Sequence, residues 1–293
     1  QGLIPFGLER ATHTFMGRFG NVFLVNGEPH YTIDVDRGEV VRFFFTNVSN
    51  TRTFNLGIEG AALKVVGSDI GKFEREEWVE NVVIAPAERY IIEGQFPESG
   101  NVTLTNQVQG VNHIFGNYFS EVDTLGTIRV SSTRVAEDHS ESFGHLRHHD
   151  DVIADIGQYR TYFDKPVDRE MVLRLEARNL PPAVEQLMRA DSAFFNGVEW
   201  SRTMPMMNWA STPEEVSWLI EDPATGRRNM DIDWQFTLGD IVKIRITNDR
   251  HTFHAMQHPV HFHGQRFLIL DLNGVPNDNL VWKDTVLMPV GAV

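Results

Sequence analysis

The chain has 293 residues, 41% of them apolar and 11% aromatic, and its 26 Lys and Arg against 40 Asp and Glu give a formal charge of −14. That acidic balance argues against nucleic acid as a partner, since phosphate neutralisation needs a basic footprint, and no apolar run reaches the roughly 18 residues of a membrane-spanning helix. Cysteine is absent, which removes disulfides, thiolate metal sites and cysteine nucleophiles from these residues.

The start, Gln1-Gly2-Leu3, has neither an initiator Met nor an export signal, and it reads as a processed or excised chain. In chain order, period-two alternation marks strands at Val40-Val41-Arg42-Phe43-Phe44-Phe45, at Tyr90-Ile91-Ile92-Glu93, around Met171/Leu173/Leu175 and around Val242/Ile244/Ile246. Gly, Asn, Asp and Pro punctuate these runs, as in all-β sandwiches. Residues 131–151, with Glu137-Asp138-His139 and His145-Leu146-Arg147-His148-His149, read as a solvated polar linker. One helix is expected, where Thr212-Pro213-Glu214-Glu215 leads into Val216-Ser217-Trp218-Leu219 with a capping hydroxyl, an early Pro and acids.

A repeat sets the organisation. Phe23-Leu24-Val25-Asn26-Gly27, then Gly38-Glu39-Val40-Val41-Arg42-Phe43-Phe44-Phe45-Thr46-Asn47, is answered by Phe194-Phe195-Asn196-Gly197, then Gly239-Asp240-Ile241-Val242-Lys243-Ile244-Arg245-Ile246-Thr247-Asn248. The repeat predicts two versions of one β-domain, over residues 1–130 and 152–293, joined by the 131–151 linker. The second copy carries an insertion of about 31 residues starting at Ser201, with Met204, Met206 and Met207 and the tryptophans Trp200, Trp209 and Trp218. Packing is the expected role of Met230, Met256 and these residues, with Cu(I) gathering and a pocket for an aromatic reductant as the functional alternatives.

The chemistry concentrates in His258-Pro259-Val260-His261-Phe262-His263-Gly264. On a strand, His261 and His263 project from one face toward one metal cluster, while His258 projects from the other, so a single segment can serve two metal centres. Neutral imidazole suits copper, zinc, iron or nickel, and the spacing alone leaves these open. His251 and His254 precede the strand and carry no metal expectation, and Asp284 is a candidate hydrogen-bond partner for a ligand imidazole.

This motif, with Leu280-Val281-Trp282-Lys283-Asp284-Thr285-Val286 as the following strand and Met16-Gly17-Arg18-Phe19-Gly20 with Leu24-Val25-Asn26-Gly27 near the start, resembles the multicopper oxidases, which include laccases and cuprous oxidases. The resemblance covers nearly the whole chain. It implies an all-β fold of tandem cupredoxin-like Greek-key sandwiches, the second incomplete: a copper-free middle domain over 1–130 and a copper-binding last domain over 152–293. It further implies a copper enzyme of periplasmic or extracellular location that oxidises a small reductant (phenol, aromatic amine or Cu(I)) one electron at a time and reduces dioxygen to water. On the family pattern His258 would ligate type 1 copper, His261 type 2 copper and His263 one of the type 3 pair. The family's first domain, with two His-x-His pairs, and its closing His-Cys-His segment have no counterpart here. A chain that continues beyond Val293, or is completed by another polypeptide, is therefore expected, and these residues alone should show no thiolate-to-copper band. A non-catalytic scaffold of the same fold and a copper nitrite reductase-like protein are the rival readings.

Overall fold

In the computed structural model, residues 22–112, 117–183, 185–186, 215–253 and 255–293 are described, with side chains at all of these except 110–112, 117 and 118. The first half is a sandwich of two sheets. One runs β1 (Tyr31–Arg37), β9 (Asn117–Arg134), β8 (Gly100–Asn112), β3 (Phe54–Ile58) and β6 (Asn81–Ile84) in spatial order. The other runs β2 (Val40–Thr46), β7 (Arg89–Gln95), β4 (Ala62–Ser68) and β5 (Gly71–Val79). Their facing side chains meet in one core that includes Val35, Leu56, Leu63, Ile84, Ile92, Leu104 and Ile128. The period-two run at 40–45 lies in β2, where Phe43 and Phe45 turn inward against this core and Phe44 stays 72% exposed.

The second half repeats the plan on a smaller scale. A sheet of β12 (Arg227–Arg228), β11 (Val216–Asp222), β10 (Arg169–Ala177) and β13 (Ile244–Asn248) packs against the hairpin-like pair of β14 (His258–His261) and β17 (Thr285–Met288). Between them Leu173 and Met288 are buried against Ile246, Val260 and Val286. A short ladder of β15 (Asp271–Leu272) and β16 (Val275–Pro276) completes the described strands. The helix expected at 212–219 is not formed where it is described. Val216-Ser217-Trp218-Leu219 pairs antiparallel with β10, opposite Ala177, Glu176, Leu175 and Arg174. The β-branched and aromatic alternation, with Val216 in the core, outweighs the capping signal ahead of it.

Both copies of the repeat fold alike. Gly38 and Gly239 take φ of +86° and +97°, a left-handed turn open to Gly at no steric cost. In each turn an acid closes the loop: the Asp36 N–H donates to Glu39 Oε2 at 2.7 Å, and the Thr237 N–H to Asp240 Oδ2 at 2.8 Å. Each copy then ends in a buried asparagine whose amide clips carbonyls together. Asn47 Nδ2 donates to the carbonyls of Arg52 and Ile84, and Asn248 Nδ2 to those of Met256, Met288 and Pro289. The Asn26-Gly27 turn, with φ of +53° and +83°, closes a tight bridge between Val25 and Glu28.

The 131–151 segment is mostly exposed, and it carries regular structure. Its first four residues continue β9, and helices α1 (Ser140–Phe143) and α2 (Asp150–Gly157) follow. Phe143 and Ile156 are buried, and His149 Nδ1 lies 2.6 Å from the Phe73 carbonyl. A charge cluster explains the docking. Lys64 is wholly buried on β4, 3.0 Å from Glu76 and 3.2 Å from Glu93, and donates to the carbonyls of Phe143 and His145. Arg147 bridges the same two carboxylates, and Arg42 pairs with Glu93. Although burial pushes Glu93 up, its hydrogen bonds from Arg147 and Arg42 and the nearby cations hold it down at about 2. One linker side chain, Arg147, and two linker carbonyls thus reach the buried carboxylates and Lys64, while most of the linker's polar residues stay exposed.

Candidate metal centre

The strand β14 sorts its histidines by alternation. His258 and Val260 turn toward the core, and Pro259 and His261 turn outward. Opposite them on β17 stand Met288 for His258 and Thr285 for His261. Burial pushes the His258 imidazole down to about 4, so it is neutral across ordinary pH, which is the form a metal binds. Its ring meets Trp218 edge to face at 5.1 Å. That places the tryptophan of β11 against the inward histidine.

His261 is held differently. Its Nδ1 sits 2.8 Å from the backbone carbonyl of Asp284 and 3.0 Å from Thr285 Oγ1. A carbonyl can only accept, so Nδ1 carries the proton and the lone pair is on Nε2. His263 does not share the strand, contrary to the expectation of strand alternation. β14 ends at His261, and His263 opens a turn completed by Gly264 at φ +69°. The turn nevertheless brings the two rings to 5.0 Å between centroids. The pair meets because the chain reverses there.

The segment expected to be a continuous strand over 280–286 is regular only from Thr285. Ahead of β17 it crosses to the first half: the Glu74 N–H donates to the Leu280 carbonyl at 2.9 Å, and the Ile70 N–H to the Trp282 carbonyl at 3.3 Å. Lys283 is buried there, its Nζ 2.6 Å from Ser68 Oγ, 3.0 Å from Asp69 and 3.3 Å from Glu88, with the Tyr90 ring at 5.0 Å. Burial raises Glu88 above the usual carboxylate range despite Lys283, and burial likewise pushes the Tyr90 hydroxyl up to about 12. Arg89 forms a two-pronged pair with Asp284, at 2.6 and 2.7 Å, and with burial opposing, this pair holds Asp284 at about 2. Asp284 was the predicted partner of a ligand imidazole, but its carboxylate faces Arg89, and its backbone carbonyl faces His261. Asp69, Arg89 and Thr285 carried no signal in the sequence.

The other candidates separate from this site. His251 is exposed, and His254, Trp200, Trp209, Met204, Met206 and Met207 lie outside the described residues. Met256 is buried in the core that Trp218 packs against, and Met230 is 96% exposed. Among the described residues no three His, Asp or Glu gather closely enough to hold a metal alone. The donor chemistry fits copper as a shared site: a paired, outward imidazole lone pair at His261, His263 beside it, and a separate neutral imidazole at His258. Such donors need completing ligands from elsewhere.

By sequence and by fold, the chain is similar to known proteins. Two sequence profiles, both described as multicopper oxidase, match residues 5–122 and 180–293. A laccase of Bacillus subtilis (strain 168) is 37% identical over 90 residues, which is 30% of this chain and 17% of that protein. In fold, the chain is similar to a multicopper oxidase from Campylobacter jejuni, a metallo-oxidase, with a TM-score of 0.59 at 17% identity, covering 97% of this chain and 52% of that one. It is also similar to the McoA multicopper oxidase of Aquifex aeolicus, with a TM-score of 0.56 at 20% identity over 97% and 53% of the two chains. This chain therefore spans about half the length of those solved relatives. The two sandwiches are of the cupredoxin type, and with a profile matched to each repeat, the chain belongs to the multicopper oxidase family.

Proposed function

We propose that these residues form the copper-free domain (1–130), linker (131–151) and copper-binding domain (152–293) of a laccase-like multicopper oxidase of the periplasm or cell exterior. In that reading His258 ligates type 1 copper, His261 type 2 copper and His263 a type 3 copper. Bound copper would supply one-electron oxidation of a phenol, aromatic amine or Cu(I) at the first site, coupled to reduction of dioxygen to water at the trinuclear cluster. A further domain with two His-x-His pairs and a closing His-Cys-His segment, from the same or another chain, would complete both sites. No helix among the described residues is long and apolar enough to cross a membrane.

One observation carries the reading: a four-residue strand presents a half-buried, inward imidazole on one face and an outward imidazole with its Nε2 free on the other. Two electronically different sites can then sit on either side of one strand. The chain's own residues prepare both. Trp218 meets the His258 ring edge to face. The Asp284 carbonyl and Thr285 hydroxyl orient His261. Metal analysis and absorption spectra of a protein carrying the remaining ligands test the assignment. His258→Ala should abolish the blue band and oxidation of every reductant while keeping cluster copper. His261→Ala and His263→Ala should lose cluster copper and keep the blue band. Identical spectra for the three variants would overturn the two-centre reading.

A further inference from the structure

We propose that Arg89, in the half of the molecule without a histidine motif, is a positioning residue for His261: by holding the Asp284 carboxylate away from the imidazole it leaves a neutral carbonyl as the principal acceptor of the His261 proton. This rests on the reading of His261 as a metal ligand. Three groups compete for that proton. The Asp284 carbonyl is 2.8 Å from Nδ1, Thr285 Oγ1 is 3.0 Å away, and the nearer Asp284 carboxylate oxygen is 3.6 Å away. The carboxylate is the strongest acceptor of the three, yet it is the farthest.

The geometry shows what restrains it. Both guanidinium prongs of Arg89 lie on the Asp284 carboxylate, and Nη1 also donates to the Ala87 carbonyl at 2.9 Å, which fixes the fork itself. The Thr285 hydroxyl donates to Asp284 Oδ1 at 2.8 Å. A hydroxyl has one proton, so with that proton committed, Thr285 Oγ1 can only accept from His261. The Asp284 carbonyl takes its second hydrogen bond from the Phe262 N–H at 3.1 Å, which anchors it in the β14 to β17 ladder. A buried aspartate of the first half, Asp69, accepts from the Thr285 N–H at 3.3 Å and holds the same strand end. Orientation of the His261 ring thus runs from Arg89 to the Asp284 carboxylate, to the Thr285 hydroxyl, to Nδ1–H. A carboxylate partner would make the imidazole a stronger donor and turn its ring, whereas a carbonyl partner keeps it closer to a neutral imidazole.

The test reads His261 directly in the metal-free full chain, by proton and nitrogen-15 correlation spectra of the imidazoles, with His261 assigned from His261→Gln. In Arg89→Met the His261 Nδ1 proton should move downfield, as the freed carboxylate takes it, with matching changes at both ring nitrogens. Arg89→Lys keeps the charge without the fork and should fall between. In Asp284→Ala, which keeps the carbonyl and removes the carboxylate, adding Arg89→Met should change nothing more at His261. A structural role alone would lower stability without exchanging the acceptor. His261 shifts unaltered in Arg89→Met and Arg89→Lys, or an Arg89 effect that persists in the Asp284→Ala background, would overturn the proposal. Copper(II) added to the wild-type chain supplemented with the completing domain and His-Cys-His segment tests the ligand reading separately. Broadening of the His261 and His263 signals supports both. Absence of broadening with the Arg89 effect intact supports the positioning role and overturns the copper assignment.

Discussion

Lys64 and Lys283 are both buried, and each faces two buried carboxylates: Glu76 and Glu93 for one, Asp69 and Glu88 for the other. Around Lys64 two further cations, Arg147 and Arg42, reach the same acids, and Glu93 is held at about 2. Around Lys283 one guanidinium among the described residues, Arg89, is turned to Asp284 and stands 3.7 Å from Asp69, and Glu88 is raised. The first cluster fastens the linker to its own sandwich; the second fastens the segment just before the Thr285 that holds His261. Both lysine side chains are almost fully buried, and the clusters differ in how many cations share the carboxylates. A cluster with spare positive charge tolerates the loss of one cation, and one with fewer cations than carboxylates does not.

The sharpest way to break the comparison is to remove each lysine. Lys283→Met strips Glu88 of its cation and should cost about 3–5 kcal/mol in unfolding free energy, the scale of a buried charge left unpaired. Lys64→Met leaves Arg147 and Arg42 in place and should cost less, about 1–3 kcal/mol. Denaturant unfolding of both variants checks the order, and equal losses would mean that the arginines share nothing. Stability against pH separates the clusters by sign. Glu93, lowered from 4.5 to about 2, contributes stability present above pH 4.5 and lost as pH falls toward 2, so Glu93→Gln should flatten that acid limb. Glu88, raised in the fold, does the opposite: its ionisation costs stability as pH rises from 4.5 through its raised value. Wild type should therefore gain on Glu88→Gln as pH falls, while it loses on Glu93→Gln, and parallel curves would contradict both assignments. The smallest effect is expected at Arg42, whose side chain is 46% exposed. Arg42→Met should cost under about 1 kcal/mol.

These clusters also mark what the sequence could and could not say. The spacing from Gly38 to Asn47 and from Gly239 to Asn248 was readable because the turn, the closing acid and the clipping asparagine are local, all within one short stretch. His258 and His261 were assigned to opposite faces for the same reason. His263 was misplaced, since a strand period says nothing of where a strand ends and a turn begins. Residues 216–219 read as helix because a good cap lay ahead of them, and pairing with β10 was a tertiary fact. Lys283, Asp69 and Arg89 come together across some two hundred residues of sequence with no pattern linking them. Asp284 was singled out for its carboxylate, but what His261 meets most closely is the backbone carbonyl, which every residue has and no residue type announces.

The asparagine at the end of the second repeat has a consequence for how long the site survives. Asn248 Nδ2 has two hydrogens and three carbonyls within 2.7 to 3.0 Å, one just before β14, one on the last residue of β17 and one just after it. Both strands of the pair that carries His258 and His261 are therefore moored, at their His258–Met288 end, to one nitrogen atom. Hydrolysis of that amide to a carboxylate would replace a donor by an acceptor and turn three attractions into three repulsions, with no change elsewhere in the chain. Burial at 1% exposure and an Asp, not a Gly, at position 249 both slow that reaction. The working life of the histidine strand is thereby tied to the chemical ageing of one shielded amide.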